Sequence, residues 1–198
     1  MGWLWYSEEK TNNKHNSIKE LKLRTIKFKE LWNNYPDTNP KHISNESNGQ
    51  DIFNDHCAIN ISETLLKIGL QMRSFKGAKC YGKCNYPKMH VLRAQELANW
   101  LTKKPFPGIL EPEIYTGKNF EEHIGNKTGI IFFQDYWVRP GEKNGIRTGD
   151  HIDLWNKGEL ASMNPISSWA RLNFPSIGEL FGLSDLRHAK KVLFWRIE

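Results

Sequence analysis

The chain has 198 residues, of which 38% are hydrophobic, so it is long enough to bury one core without disulfide or metal staples. Its longest wholly apolar runs, such as residues 129–133, fall far below the roughly 20 residues that span a bilayer, and no membrane insertion is expected. The formal charge of +6 suits an anionic partner such as membrane or bacterial cell wall. Because the basic residues are dispersed and no zinc-finger or RNA-recognition motif occurs, nucleic acid is not expected.

Residues 1–25 are predicted to form an N-terminal extension, followed by one domain over residues 26–198. The extension is polar, rich in Lys and Asn, and only weakly periodic. Its first ten residues, MGWLWYSEEK, contain neither a basic region nor an adequate apolar core. We therefore expect no signal peptide and no lipid anchor.

The stretch NDHCAINIS places Cys57 where a polar loop, residues 37–55, meets a helical pattern. Asn54 or Asp55 is predicted to cap this helix, and Gly69 to end it. The apolar stripe consists of Ala58, Ile61, Leu65 and Ile68. The positive end of the helix dipole favours a reactive thiolate, and the free backbone N–H groups there can hold an oxyanion. A lone cysteine is also commonly a small buried hydrophobe, so Cys57 is at this point only a candidate nucleophile.

Cys80 and Cys84 lie four residues apart, a spacing that a helix or tight turn can close into a disulfide. A zinc site on Cys80, Cys84 and His90 is the metal alternative, but no fourth ligand has a convincing spacing. We therefore predict no metal site and no cofactor.

The sequence predicts helices in the first half of the chain and strands in the second half. A second helix is predicted in VLRAQELANWL, residues 91–101, and Pro105 ends it. Three later segments are rich in β-formers and bounded by Gly, Pro and Asn: residues 129–137, 151–155 and 191–197. Helices first and strands later predict an α+β domain, in which N-terminal helices pack on a mainly antiparallel sheet.

His151 opens one of the predicted strands. Residues two apart on a strand share a face, so His151 and Asp153 point one way while Ile152 and Leu154 point into the core. A histidine in this place can serve as a general base, although by itself a structural histidine partnered by Asp153 is the commoner outcome.

A hairpin turn is predicted at NKG, residues 156–158. The strand that leaves this turn would return alongside His151 and would present Ser162 and Asn164 on a common face. A slip of one residue decides which of the two side chains is nearer to the imidazole.

Cysteine at the start of a helix and histidine about ninety residues later on a strand is the chain order of papain-like thiol hydrolases. The segments FKELWNNYP, CAINIS, HVLRAQELANWL, GIIFF and GDHIDLWN closely resemble, in order, those of the family-four amidase effectors of type VI secretion. The resemblance covers roughly residues 26–197. It implies a papain-like fold and hydrolysis of the γ-D-glutamyl to meso-diaminopimelate bond in peptidoglycan stem peptides, with Cys57 as nucleophile and His151 as base.

The third catalytic member departs from the family pattern, which has an aspartate eleven residues after the histidine, where this chain has Ser162. Because an amide oxygen can accept the imidazole N–H and serine orients it less well, Asn164 is the first choice, Ser162 the second and Asp153 the third. The missing aspartate favours an alternative function, a catalytically impaired module that binds peptidoglycan or a partner. Another alternative keeps the fold and transfers the acyl group to an amine instead of water.

The resemblance also implies partners and a place of action. It implies delivery by the type VI secretion machinery, action in the periplasm of a target bacterium, and a cognate immunity protein that protects the producing cell. A cysteine-bearing loop before HVLRA fits a periplasmic protein, so pairing of Cys80 with Cys84 is a further expectation. The sequence leaves the oligomeric state open.

Overall fold

The structure, a computed structural model, describes residues 24–139, 141–142, 146–163 and 185–198. Residues 1–23 of the predicted extension, and Asn164, lie outside these ranges. The described elements are, in chain order, α1 (Phe28–Asn34), α2 (Cys57–Lys67), α3 (Ala94–Leu101), β1 (Glu113–Tyr115), α4 (Phe120–Ile124), β2 (Thr128–Trp137), β3 (Gly149–Asn156), β4 (Glu159–Leu160), a short 3₁₀ helix (Leu186–His188) and β5 (Lys191–Arg196).

The described strands form one antiparallel sheet with the order β1-β5-β2-β3-β4. Strand β2 lies at its centre, where Ile131 pairs with Asp153 of β3 on one side and with Phe194 of β5 on the other. Helices α2 and α3 pack against β3. The predicted α+β architecture of helices on a mainly antiparallel sheet is confirmed.

Both faces of the sheet are buried, which explains the uninterrupted apolar run in β2. Ile130 and Phe132 join the core beneath α2 and α3, whereas Ile131 and Phe133 join a second core with α4 on the opposite face. All four side chains are fully buried. A strand covered on both faces needs apolar residues at every position, so the alternation of a half-exposed strand is absent here.

Helix α2 begins at Cys57 as predicted, but its N-cap is His56, and the prediction of Asn54 or Asp55 was wrong. The imidazole of His56 is held by the carboxylate of Asp51, with Nε2 and Oδ2 2.8 Å apart, so a contact with the preceding loop fixes the start. Helix α2 is the longest described helix, at eleven residues, and none of the described helices has the length and apolarity that a membrane span requires.

The end of α2 matches its prediction. Gly69 follows the last helical turn with φ +93° and donates its N–H to the carbonyl of Leu66. The N–H of Leu70 reaches back to the carbonyl of Leu65. This pair of hydrogen bonds is a Schellman motif, which requires the left-handed backbone that glycine adopts without strain.

Helix α3 starts at Ala94, three residues later than its periodicity predicts. Val91 forms a β-bridge with Lys79, and the N–H of Leu92 bonds the carbonyl of Ala78 at 3.1 Å. These backbone contacts with a distant loop replace the first helical turn, and a periodicity argument has no access to them.

The hairpin predicted at NKG is confirmed. Lys157 and Gly158 both have positive φ, +52° and +99°, as a two-residue hairpin turn of this kind requires. Trp155 pairs with Leu160 across the hairpin. The chain leaving β4 therefore runs back beside β3 and brings Ser162 next to Asp153.

Candidate active site

Helix α2 and strand β3 bring Cys57 and His151 together at one end of the sheet. The thiol of Cys57 and the imidazole of His151 line the same cleft, and the thiol is close enough to contribute to the raised pKa of the imidazole. On its other side the imidazole presents Nε2 to Oδ2 of Asp153 at 3.4 Å, which leaves Nδ1 as the ring nitrogen for the thiol. Cys57 packs against the core beneath α2 and α3 and also lines a cleft. The core therefore holds the side chain in place, and the cleft gives access to it.

An irregularity in β2 lies directly beside His151. The register with β3 shifts between Phe133 and Trp137, and Asp135 within this bulge has φ +53°, which is uncommon for a residue other than glycine. The ring of Tyr136 meets the imidazole of His151 edge-on, with centroids 6.3 Å apart. The bulge thus places an aromatic wall against the imidazole.

Asp153 is fully buried and is surrounded by hydrogen-bond donors. Its carboxylate accepts from the backbone N–H of Leu154 at 2.8 Å and from that of Ser162 at 3.2 Å. The hydroxyl of Ser162 lies 2.5 Å from Oδ2, and the phenol of Tyr35 also donates to this carboxylate. With the imidazole of His151 as a further donor, the buried charge is paired and hydrogen-bonded, as a buried carboxylate requires.

The pKa of His151 lies well above its ordinary value. Burial lowers this pKa, but hydrogen bonds to Asp153 and to Cys57 raise it by more, and Tyr136 adds to the increase. The raised pKa favours the protonated imidazolium next to the thiol. This arrangement suits a thiolate–imidazolium pair, the reactive form of a cysteine nucleophile.

Tyr35, at the end of α1, is a member of the site that the sequence analysis did not identify. Burial, and next the charge of Asp153, raise the pKa of its phenol far above the ordinary value, so the phenol stays protonated and donates. The amide of Asn60 donates to the phenol oxygen at 3.4 Å and to Oδ1 of Asn39 at 2.9 Å. The motif NNYP carries no pattern that would have predicted this role.

The cleft in front of Cys57 has a volume of about 280 Å³, and an adjoining pocket has a volume of about 470 Å³. The two share Asn39, Asn60 and Ser162, so they form one continuous groove. The first is lined by Asn39, Asp55, His56, Cys57, Asn60, Tyr136, Trp137, Asp150, His151 and Ser162. The second is lined by Trp32, Tyr35, Pro36, Asp37, Asn39, Asn60, Ala161, Ser162 and Met163.

The raised pKa of His151 predicts a pH dependence of stability. Its ionisation should contribute stability in full below about pH 6.5, the ordinary histidine value, and the contribution should be lost as pH rises through the higher folded-state pKa. Urea unfolding of the wild type and of His151→Gln between pH 5 and 9 measures the difference in unfolding free energy. We expect this difference to shrink at alkaline pH, and a constant difference would contradict the ion-pair assignment.

The structure thus gathers Cys57, His151, Asp153 and Ser162 at one site, whereas Asn164 lies outside the described residues. Within the described residues, the orienting contact of His151 is made by Asp153, the third choice from sequence, and Ser162 hydrogen-bonds to Asp153. Their catalytic roles remain predictions.

The predicted disulfide pair does not line the groove. Cys80 and Cys84 are free thiols with sulfur atoms 3.9 Å apart, and the pairing stays a prediction. Beside them lies His90, the third residue of the zinc alternative, together with His42, which the sequence analysis did not connect with this loop.

Comparison with known proteins gives a family and a fold. The model of the family "Type VI secretion system (T6SS), amidase effector protein 4", Tae4, matches residues 53–195. No curated protein matches the chain.

Two crystal structures of Tae4 from Salmonella typhimurium are similar over almost the whole of their chains. One, with the immunity protein Tai4 as an effector–immunity system, has 17% identity and a TM-score of 0.56 over 88% of this chain and 100% of that chain. The other, in complex with Tai4 from Enterobacter cloacae, has 20% identity and a TM-score of 0.57 over 87% of this chain and 99% of that chain. These likenesses confirm the predicted papain-like α+β fold. From the match over residues 53–195, the chain belongs to the family of type VI secretion amidase effector proteins 4.

Proposed function

We propose that this amidase effector hydrolyses the γ-D-glutamyl to meso-diaminopimelate bond of peptidoglycan stem peptides by a cysteine mechanism. The observation that carries the proposal is the contact of Cys57, at the first turn of α2, with His151, whose second ring nitrogen faces the buried carboxylate of Asp153. A nucleophile, a base and an orienting group in this order form the constellation of thiol hydrolases.

In the first step the thiolate of Cys57 attacks the γ-carbonyl carbon of D-glutamate. The backbone N–H of Cys57 has no acceptor within the helix, because it belongs to the first turn, and in this proposal it donates to the oxyanion. The imidazolium of His151 then protonates the departing amine of diaminopimelate, which leaves a thioester on Cys57 and a neutral imidazole.

In the second step a water molecule hydrolyses the thioester. The neutral imidazole of His151 takes a proton from this water as the water attacks, and Cys57 leaves as the thiolate. The D-glutamate product carries a new γ-carboxylate, and the thiolate–imidazolium pair is restored. Membership of the amidase effector family supports hydrolysis over acyl transfer to an amine.

Asp153 is the orienting group in this proposal. Its carboxylate holds Nε2–H of His151, which turns Nδ1 towards the thiol and stabilises the imidazolium. Ser162, which occupies the position of the family's aspartate, would act through Asp153 by donating its hydroxyl and its N–H to that carboxylate. A buried negative partner is thus present, which weakens the case for a catalytically impaired binding module.

The partners follow from the family. The protein would be delivered by the type VI secretion machinery and act in the periplasm of the target bacterium. The similar effectors from Salmonella typhimurium form complexes with immunity proteins Tai4, and we propose an immunity protein for this chain as well. The net charge of +6 suits the anionic wall polymer as substrate.

Mass spectrometry of purified diaminopimelate muropeptides tests the bond that is cut. We expect a disaccharide–L-Ala–D-Glu product and a released diaminopimelate peptide, with one oxygen of H₂¹⁸O in the new γ-carboxylate. A muropeptide that already ends at D-Glu is the control and should stay unchanged. Cleavage at the sugar–alanine link would contradict the assigned bond, and an amine adduct without ¹⁸O would indicate acyl transfer.

A further inference from the structure

Four residues with metal-binding side chains converge behind the active-site helix. Cys80, Cys84 and His90 come from one loop, and His42 comes from the loop that precedes α2. One ligand atom from each lies within 4.8 Å of the other three. His42, His90 and Cys80 are buried, and Cys84 is half-buried.

Three separations between these ligand atoms lie within about 0.4 Å of the edges of a zinc tetrahedron. Bond lengths of about 2.3 Å to sulfur and about 2.05 Å to nitrogen give edges of roughly 3.8 Å between sulfurs, 3.5 Å from sulfur to nitrogen and 3.3 Å between nitrogens. The observed distances are 3.9 Å from Cys80 Sγ to Cys84 Sγ, 3.7 Å from Cys80 Sγ to His90 Nδ1, and 2.9 Å from His90 Nδ1 to His42 Nε2. We propose that His42, Cys80, Cys84 and His90 bind a structural Zn²⁺ ion.

The surroundings of His90 provide a partner for its outer nitrogen. Its Nε2 lies 2.6 Å from a carboxylate oxygen of Glu63, a buried residue of α2. A carboxylate that accepts the outer N–H of a metal-bound histidine fixes the tautomer and directs the inner nitrogen to the metal. Glu63 therefore sets His90 with Nδ1 towards the two thiols, and its other oxygen lies 3.7 Å from the ammonium of Lys67.

The cluster has the chemistry that zinc requires. Two cysteines and two histidines form one of the common donor sets of structural zinc sites. Binding of Zn²⁺ would replace the two thiol protons, which pass to solvent, and would give a neutral site with two thiolates and two imidazoles.

Zinc at this position would hold loops that contain little regular structure. His42 belongs to the segment 36–56, in which no helix or multi-residue strand is described. The backbone N–H of His42 bonds one oxygen of Asp51 at 3.2 Å, and the other oxygen binds His56, the N-cap of α2. The metal would therefore fix the segment that ends at Cys57, at a position distinct from the groove. The proposal does not depend on which bond the enzyme cuts.

A disulfide between Cys80 and Cys84 is the competing arrangement. It needs the sulfur atoms at about 2.05 Å, little more than half of the observed distance. It would also use only two of the four donor atoms that lie within 4.8 Å of one another. The geometry therefore favours the metal.

The test measures zinc in the untagged full chain, purified under reducing conditions after incubation with equimolar ZnSO₄ and gel filtration. We expect about one zinc per chain by elemental mass spectrometry. Replacement by Co²⁺ should give the visible bands of a tetrahedral thiolate–imidazole site. Removal of the metal with a chelator should lower the melting temperature by at least about 5 °C, and Zn²⁺ should restore it.

Two variants and a matched thiol control locate the site. His42→Ala and Cys84→Ser should each lose zinc, whereas Cys57→Ala, which removes the thiol outside the cluster, should retain it. Because a ligand variant can fail to fold, the chelator and reconstitution cycle on the wild type gives an independent result. The proposal is overturned if the wild type carries no zinc after incubation with ZnSO₄ and gel filtration. It is also overturned if the purified wild type has a mass 2 Da lower, because that mass indicates a Cys80–Cys84 disulfide.

Discussion

Replacement of Cys57 by alanine is expected to abolish turnover of diaminopimelate muropeptides and to leave the fold intact. Alanine removes the only nucleophile of the proposed mechanism, and loss of such a group typically costs at least about 10⁴-fold in kcat. The side chain is half-buried at the first turn of α2, where alanine keeps the backbone and most of the packing. Release of the diaminopimelate peptide is measured by chromatography and mass spectrometry.

Cys57→Ser is the matched variant for this experiment, because it keeps the size of the side chain and removes the thiolate chemistry. Both variants should show the wild-type melting temperature within a few degrees. Iodoacetamide near neutral pH should label the wild type rapidly at Cys57, which lines the cleft beside His151, and the peptide that contains residue 57 should carry no label in Cys57→Ala. Full activity in either variant would exclude the cysteine mechanism.

The sequence predicted those parts of the fold whose signal is local. The apolar stripe after Cys57 gave α2, and Gly69 gave its end, because capping chemistry is encoded within a few residues. The hairpin at Lys157–Gly158 was predictable for the same reason. The run at residues 129–133 predicted β2, and its continuity, without alternation, reflects burial on both faces of the sheet.

Contacts between distant segments were not predictable from these signals. His42 lies 38 residues before Cys80, too far for a spacing argument, and only the fold brings it to the cysteine pair. The start of α3 was misplaced because Val91 pairs with Lys79. Asp153 was ranked third because the sequence analysis looked for the orienting group on the strand that returns from the hairpin. In the structure that segment brings Ser162 to the carboxylate of Asp153, and Asp153 contacts the imidazole.

Asp153→Asn is expected to lower kcat/KM by about 10²- to 10⁴-fold, a large loss second only to that of Cys57→Ala. The amide oxygen can replace only one of the two carboxylate oxygens, so it can accept from the N–H of Ser162 at the Oδ2 position while the amide nitrogen faces the N–H of Leu154. The substitution removes the negative charge that stabilises the imidazolium of His151. The melting temperature, measured alongside, separates lost orientation from lost folding.

Ser162→Ala is the matched comparison, because it removes one hydrogen bond to the same carboxylate and leaves the charge in place. One such bond contributes about 1–1.5 kcal/mol, so kcat/KM should fall by roughly tenfold or less. The pH profile separates the two roles. The hydrogen bond from the imidazole to Asp153 raises the pKa of His151. Asp153→Asn should therefore move the alkaline limb of the kcat/KM profile to lower pH, and Ser162→Ala should move it much less. Wild-type activity and an unchanged alkaline limb in Asp153→Asn would assign the orienting role to another residue.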